Sequence, residues 1–160
     1  MAFWQWGRSK ERKAPSMTAQ ALNEPILAYR VWRVGTDGLL VSCTYECTWT
    51  PRARMDAHCC IRGTLHPQAA PVWDCSCGFY AFKTPAALAA SRYTELSGAL
   101  TVSGRVALWG RVIDHELGYR ARYAYPQVLY LRGDRSDEVV RRLADCYAIE
   151  CLPSPLERRI

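Results

Sequence analysis

From Ile26 to Val34 large apolar residues alternate with polar ones in the segment ILAYRVWRV, the period-two pattern of a half-buried strand. Gly35-Thr36-Asp37-Gly38 supplies a turn, and LLVSCTY then predicts a second strand. Residues 50–78, rich in Pro, Gly, Cys and His, carry neither a helical nor a strand period. A loop of that length is uncommon in a compact domain unless something else orders it. The run Gly78-Phe79-Tyr80-Ala81-Phe82 predicts a short strand. Thr84 followed by Pro85 predicts an N-cap and a first helical residue, with the helix running to about residue 97 and ending at Gly98.

Between Leu100 and Leu131 lies the strongest β signal. Val102, Val106, Leu108 and Val112 fall on one face and Arg105, Trp109 and Arg111 on the other. Beyond a turn near Glu116-Leu117-Gly118, the residues Tyr119, Ala121, Tyr123 and Tyr125 alternate with Arg120 and Arg122. A long hairpin with one buried face is expected, and Pro126 marks a bulge, an edge or a break before QVLYL. Ser136-Asp137-Glu138 opens an amphipathic helix that ends near Tyr147. The fold class expected is α+β, a predominantly antiparallel β core with two helices and a zinc-ordered loop. The first strand and the hairpin should share one sheet, with Val31, Leu108, Val112 and Tyr123 on its apolar face and the helix at 85–97 covering them. Residues 1–24 read as a flexible basic and aromatic arm, 25–153 as one globular domain and 154–160 as a tail.

With 160 residues, 49% of them hydrophobic, the chain can bury one core. No apolar run approaches the roughly 18–20 residues of a membrane span, and the charges of MAFWQWGRSKERK do not precede an apolar segment, so a cytoplasmic protein is expected. The net charge of +6 resides largely in the tails: residues 1–13 contribute +3 and residues 157–159 contribute +1. A solvated arm explains it, and attraction to phosphate is the functional alternative. Eight cysteines are many for such a chain, and a reducing compartment favours metal ligation over disulfides for a subset of them.

That subset reads Cys59-Cys60, then His66, then Cys75, Ser76, Cys77 and Gly78. Zinc takes four thiolate and imidazole donors in a tetrahedron, which a loop supplies when a close pair is joined by donors returning from nearby. Cys75 and Cys77 form the pair, His66 is the third donor, and either Cys59 or Cys60 is the fourth: adjacent side chains point apart, so only one of the two binds, with Cys59 slightly preferred. The histidine and the spacing disfavour an iron–sulfur cluster, and CxC is not the usual redox dithiol. Cys43, Cys47, Cys146 and Cys151 are expected to be small core hydrophobes. His58 is expected at the surface. His115, between Asp114 and Glu116, reads as a solvated turn residue, with an acid–base role as the alternative.

YRVWRV, the loop Cys and His, CSCGFYAF and GRVALWGRVIDHELGYRARYAYPQVLYL together resemble a group of small actinobacterial proteins with a CxCGxYA motif, over about residues 27–131. More distantly, YRVWRV and GFYAFKTPAAL resemble the split-sheet core of ADP-ribosyltransferase-like proteins. That resemblance implies NAD held by Arg30 and Tyr80. Its third role falls to a glutamate on a later strand, whereas Glu116 sits at the predicted hairpin tip. Two functions are thus in view. One is a zinc-stabilised binding module with a protein or nucleic-acid partner, using the Arg105, Trp109, Arg111, Arg120 and Arg122 face; the other is an ADP-ribosyltransferase-like enzyme or a degenerate nucleotide-binding relative.

Overall fold

The computed structural model describes residues 24–59, 66–91, 93 and 98–155. Nearly all of the expected arm, Cys60 and the end of the tail lie outside them. The strands expected first form as read: β1 (Ile26–Val34) and β2 (Leu40–Ser42) are antiparallel neighbours. The long hairpin comprises β5 (Thr101–Asp114) and β6 (Gly118–Leu131). Before it in the chain come β3 (Met55–Asp56), β4 (Phe79–Phe82) and the helix α1 (Pro85–Ala90), and after it α2 (Asp137–Tyr147) and β7 (Glu150–Pro153). The architecture is α+β with a mostly antiparallel sheet.

β1 pairs with β5 from Ile26↔Leu108 to Arg33↔Thr101, so the first strand and the hairpin do share a sheet. The β1–β5, β5–β6, β6–β4 and β4–β1 pairings close on themselves, the last through Tyr29↔Phe82, and the sheet therefore curls round instead of lying flat. Register shifts between Arg105 and Val106 and between Trp109 and Val112 supply the bends. Pro126 is thus met as a bulge neighbour inside a continuous β6. Strict alternation also fails along β6, where Ala121 and Ala124, three residues apart, both enter the core. Tyr123, expected on the buried face, is only half-buried and lies beside Trp109, the ring centres 6.0 Å apart and the planes tilted by 39°.

Trp32 and Trp49 meet edge to face at 5.5 Å in the core, with Phe79 5.1 Å from Trp49. The apolar stripe of α2, Val140, Leu143, Ala144 and Tyr147, covers this cluster. Helix α1 has a smaller task than expected: Leu88 packs on Val31 and Phe82 in a separate cluster. Thr84 caps it as read, its side chain accepting from Ala87 N at 3.1 Å. The helix ends at Ser91 and not near 97, because Ser91 is extended and its hydroxyl donates to Leu88 O, competing with further helical bonding. Ser136 makes no side-chain cap for α2; the Asp134 carboxylate accepts from Ser136 N instead. Ala148 closes α2 in the left-handed conformation and turns the chain into β7, parallel to β6, a strand too short to show a period. No helix among the described residues is long and apolar enough to cross a membrane.

Candidate metal centre

The expected loop is an excursion from one edge of β6. Asp56 pairs with Tyr123, Ala57 N donates to Arg122 O at 2.8 Å, and the chain returns at Phe79 opposite Ala121. The two ends of the excursion thus pair with positions two residues apart on the same strand. Cys59 sits just beyond the departing end and Cys77 just before the returning one, so the sheet itself brings them together. β3 breaks what looked like a featureless stretch; two residues give no readable alternation.

Donor atoms of Cys59, His66, Cys75 and Cys77 all lie within 4.8 Å of one another, and the four could hold a metal ion. Cys59 Sγ is 3.6 Å from Cys75 Sγ, well beyond a disulfide bond, and Cys77 Sγ is 3.4 Å from His66 Nε2. His66 Nδ1 lies 2.7 Å from Gln68 O. A carbonyl only accepts, so Nδ1 carries the proton and Nε2 turns its lone pair to the thiols. Cys75 and Cys77 are buried. Burial raises the Cys77 thiol to about 11, with the neighbouring thiols adding to it, so three sulfurs collected here are poor company without a cation.

Arg120, expected on the wet face of the hairpin, is 3% exposed. Its Nη1 donates to the carbonyls of Cys75, Cys77 (2.9 Å) and Val72 (3.3 Å), and Nη2 to Trp73 O at 3.4 Å. One guanidinium therefore gathers the backbone that delivers two of the four donors. Arg120 Nε donates to His115 Nε2 at 2.9 Å, and the His115 ring stacks on Trp73 at 5.7 Å. His115 is consequently half-buried and neutral. Burial, followed by the charge of Arg120, lowers it to about 4. Alternation alone places Arg120 with the surface arginines; its register opposite Tyr80, which only the fold sets, brings it to the backbone of the CxC pair. Gly78 has φ +111°, and a Cβ there would approach Pro71 Cβ to 2.9 Å, which explains the glycine after the pair.

The other expected residues are distributed as follows. His58 is exposed, as read. Cys43, Cys47 and Cys151 are half-buried, while Cys146 lies exposed on α2, where the helical period turns it outward, and is no core residue. Arg105 is half-buried and Arg111 exposed; Arg122 pairs with Asp56 at 3.5 Å. Arg30 and Tyr80 do line one cavity, but through an Arg30 Nη1 bond to the Tyr80 carbonyl. The Tyr80 hydroxyl donates to Ser76 O at 2.8 Å. Glu116 stays exposed at the hairpin tip, and the acids that line the cavity, Glu46 and Asp56, pair with Arg33 and Arg122. No protein-family model, curated protein or solved structure matches the chain.

Proposed function

We propose that the chain is a zinc-stabilised binding module with a nucleic-acid or protein partner, its ion held by Cys59, His66, Cys75 and Cys77. The convergence of three thiols and one imidazole at the neck of the loop carries this reading. With zinc bonds of about 2.3 Å to sulfur and 2.0–2.1 Å to nitrogen, tetrahedral geometry gives edges of about 3.8 Å and about 3.6 Å. The observed 3.6 Å and 3.4 Å are close to these. Thiolates select zinc over magnesium or calcium, and four protein donors leave no place for a reactive water, so the ion is structural. Elemental analysis of protein purified without added metal should give about one zinc per chain in the parent and in Cys146→Ser, and a loss in Cys77→Ser. A metal-free parent that melts cooperatively and ignores chelator would remove the ion from the proposal.

The binding surface is the outer side of the hairpin bulge. Trp109 and Tyr123 lie together there, with Arg54 4.1 Å and Arg122 4.9 Å from the Tyr123 ring centre. They border an open cleft of about 650 Å³ that Arg52, Arg54, Trp109, Tyr125 and Gln127 line. Arginines beside half-buried aromatic rings at an open cleft suit the phosphates and bases of a single strand better than they suit an apolar protein face. Retention on immobilised single-stranded DNA and RNA, falling steeply with salt and weakened by Trp109→Ala, is the expected result. No retention at low salt would leave the protein partner.

A further inference from the structure

A cavity of about 370 Å³ opens between β2, the residues after it, β4 and the two ends of the Cys/His loop, with Cys77 in its lining. Arg30 lines it and is 9% exposed. Nη1 donates to Tyr80 O and Nη2 to Ser42 Oγ at 3.1 Å, and the guanidinium carbon lies 5.0 Å from the centre of the Trp49 ring. Among the described residues no carboxylate lies within ion-pair distance of Arg30, and its Nε has no hydrogen-bond partner. A guanidinium has five N–H donors, and burying it without a counter-charge is costly. Burial does push Arg30 below its ordinary pKa.

The acids around this cavity do not answer that charge. Glu46 is held by Arg33 at 2.7 Å with its side chain 86% exposed, and Asp56 is held by Arg122. Ser42 is buried, and its hydroxyl, accepting from both Arg30 and Trp49 Nε1, keeps its own proton to donate. Thr44 and Tyr45 add hydroxyl groups to the lining. A cavity of this size is at the small end of ligand pockets, enough for one compact organic molecule and too little to enclose a dinucleotide. We infer that the cavity binds a small oxyanion, a carboxylate or phosphate on a compact body, with Arg30 as its counter-ion and Trp49 behind the guanidinium. This goes beyond the metal and nucleic-acid readings: its anion site is Arg30, while Cys77, a candidate metal donor, stands elsewhere in the same lining.

Titration of the 160-residue chain as purified with benzoate, acetate and inorganic phosphate, followed by isothermal calorimetry and by the NMR signals of Arg30 and Trp49, tests it. Benzamide at the same ionic strength is the neutral control. At least one oxyanion should bind at millimolar concentration and shift those signals while benzamide does not; benzoate against phosphate tells the two sources of the charge apart. Arg30→Gln should weaken binding about tenfold or more. Because Arg30 is buried and that variant can fail to fold, Thr44→Trp, at an exposed position in the lining, provides the second arm by filling the mouth, and should weaken binding to a similar degree. Absence of binding by all three anions in the parent, or binding unchanged in folded Thr44→Trp, would overturn the inference.

Discussion

Arg120 joins two regions that the chain keeps far apart, since its guanidinium spans from the backbone of the CxC pair to the imidazole of His115. Lysine can replace the charge but not the fork that reaches several carbonyls at once. Arg120→Lys should therefore cost about 2–4 kcal/mol and release metal at lower chelator concentrations than the parent, as thermal melts and a chelator titration would show. An unchanged metal affinity would mean that the loop holds its shape without the arginine. His115 offers a pH test. Its folded pKa, about 4, lies below the ordinary 6.5, so the unfolded chain takes up the proton first. The stability contributed by the neutral ring is present above about pH 6.5 and is lost as pH falls toward about 4. With the ring half-exposed, about 1–2 kcal/mol is expected across that window. Asp114, Lys83 and Arg120 bear on the ring as well, but they remain in His115→Gln, as do the metal thiols. Denaturant melts of parent and variant should thus differ in slope between pH 6.5 and 4, with the variant the flatter. At this scale the clustering of Cys59, His66, Cys75 and Cys77 was legible because cysteine and histidine are rare and their spacing is read directly. The role of Arg120 was not, because alternation reports which face a side chain leaves and not what closes over it.

Among the elements, the strand ILAYRVWRV and the Thr84-Pro85 start of α1 were legible, since each depends on its own residues. The slip of β5 against β6 was not, because it depends on the partner: three steps along β5, from Trp109 to Val112, are matched by two along β6, from Tyr123 to Ala121. The short β7 likewise exists only because β6 offers it an edge. The turn from the metal loop into β4 lies between these cases, as its glycine is visible in sequence but the reason for it is not. At Gly78 positive φ and the approach of Pro71 act together, whereas at Gly98, with φ +77°, an added methyl group would meet open space. Gly78→Ala should therefore lose about 2 kcal/mol or more and loosen the metal, and Gly98→Ala about 1 kcal/mol with the metal retained. Equal losses in chemical denaturation would show that backbone conformation alone, and not the packing of the metal loop, sets the cost.

For the molecule as a whole, the metal loop is both an appendage and part of the core. Ala57, Ala70, Cys75, Cys77 and Phe79 belong to the same buried cluster as Trp32, Leu108, Leu129 and the apolar face of α2. Yet the excursion hangs from one edge of β6 alone, while the opposite edge of β6 and both α2 and β7 are secured without it. Releasing the ion proposed for this loop would return chain entropy to it and leave buried thiols without a charge partner, but would remove no hydrogen bond between β1 and β5. Opening should therefore be graded. Hydrogen exchange of the chelator-treated chain is expected to lose protection first in residues 66–82 and in the 118–124 stretch of β6 that faces β3 and β4. The amides pairing β1 with β5, and those within α2, should keep most of theirs, and readdition of zinc should restore the rest. If protection instead disappeared everywhere at once, the ion would be the nucleus of the entire fold, and the closed pairing of β1, β5, β6 and β4 would be its product.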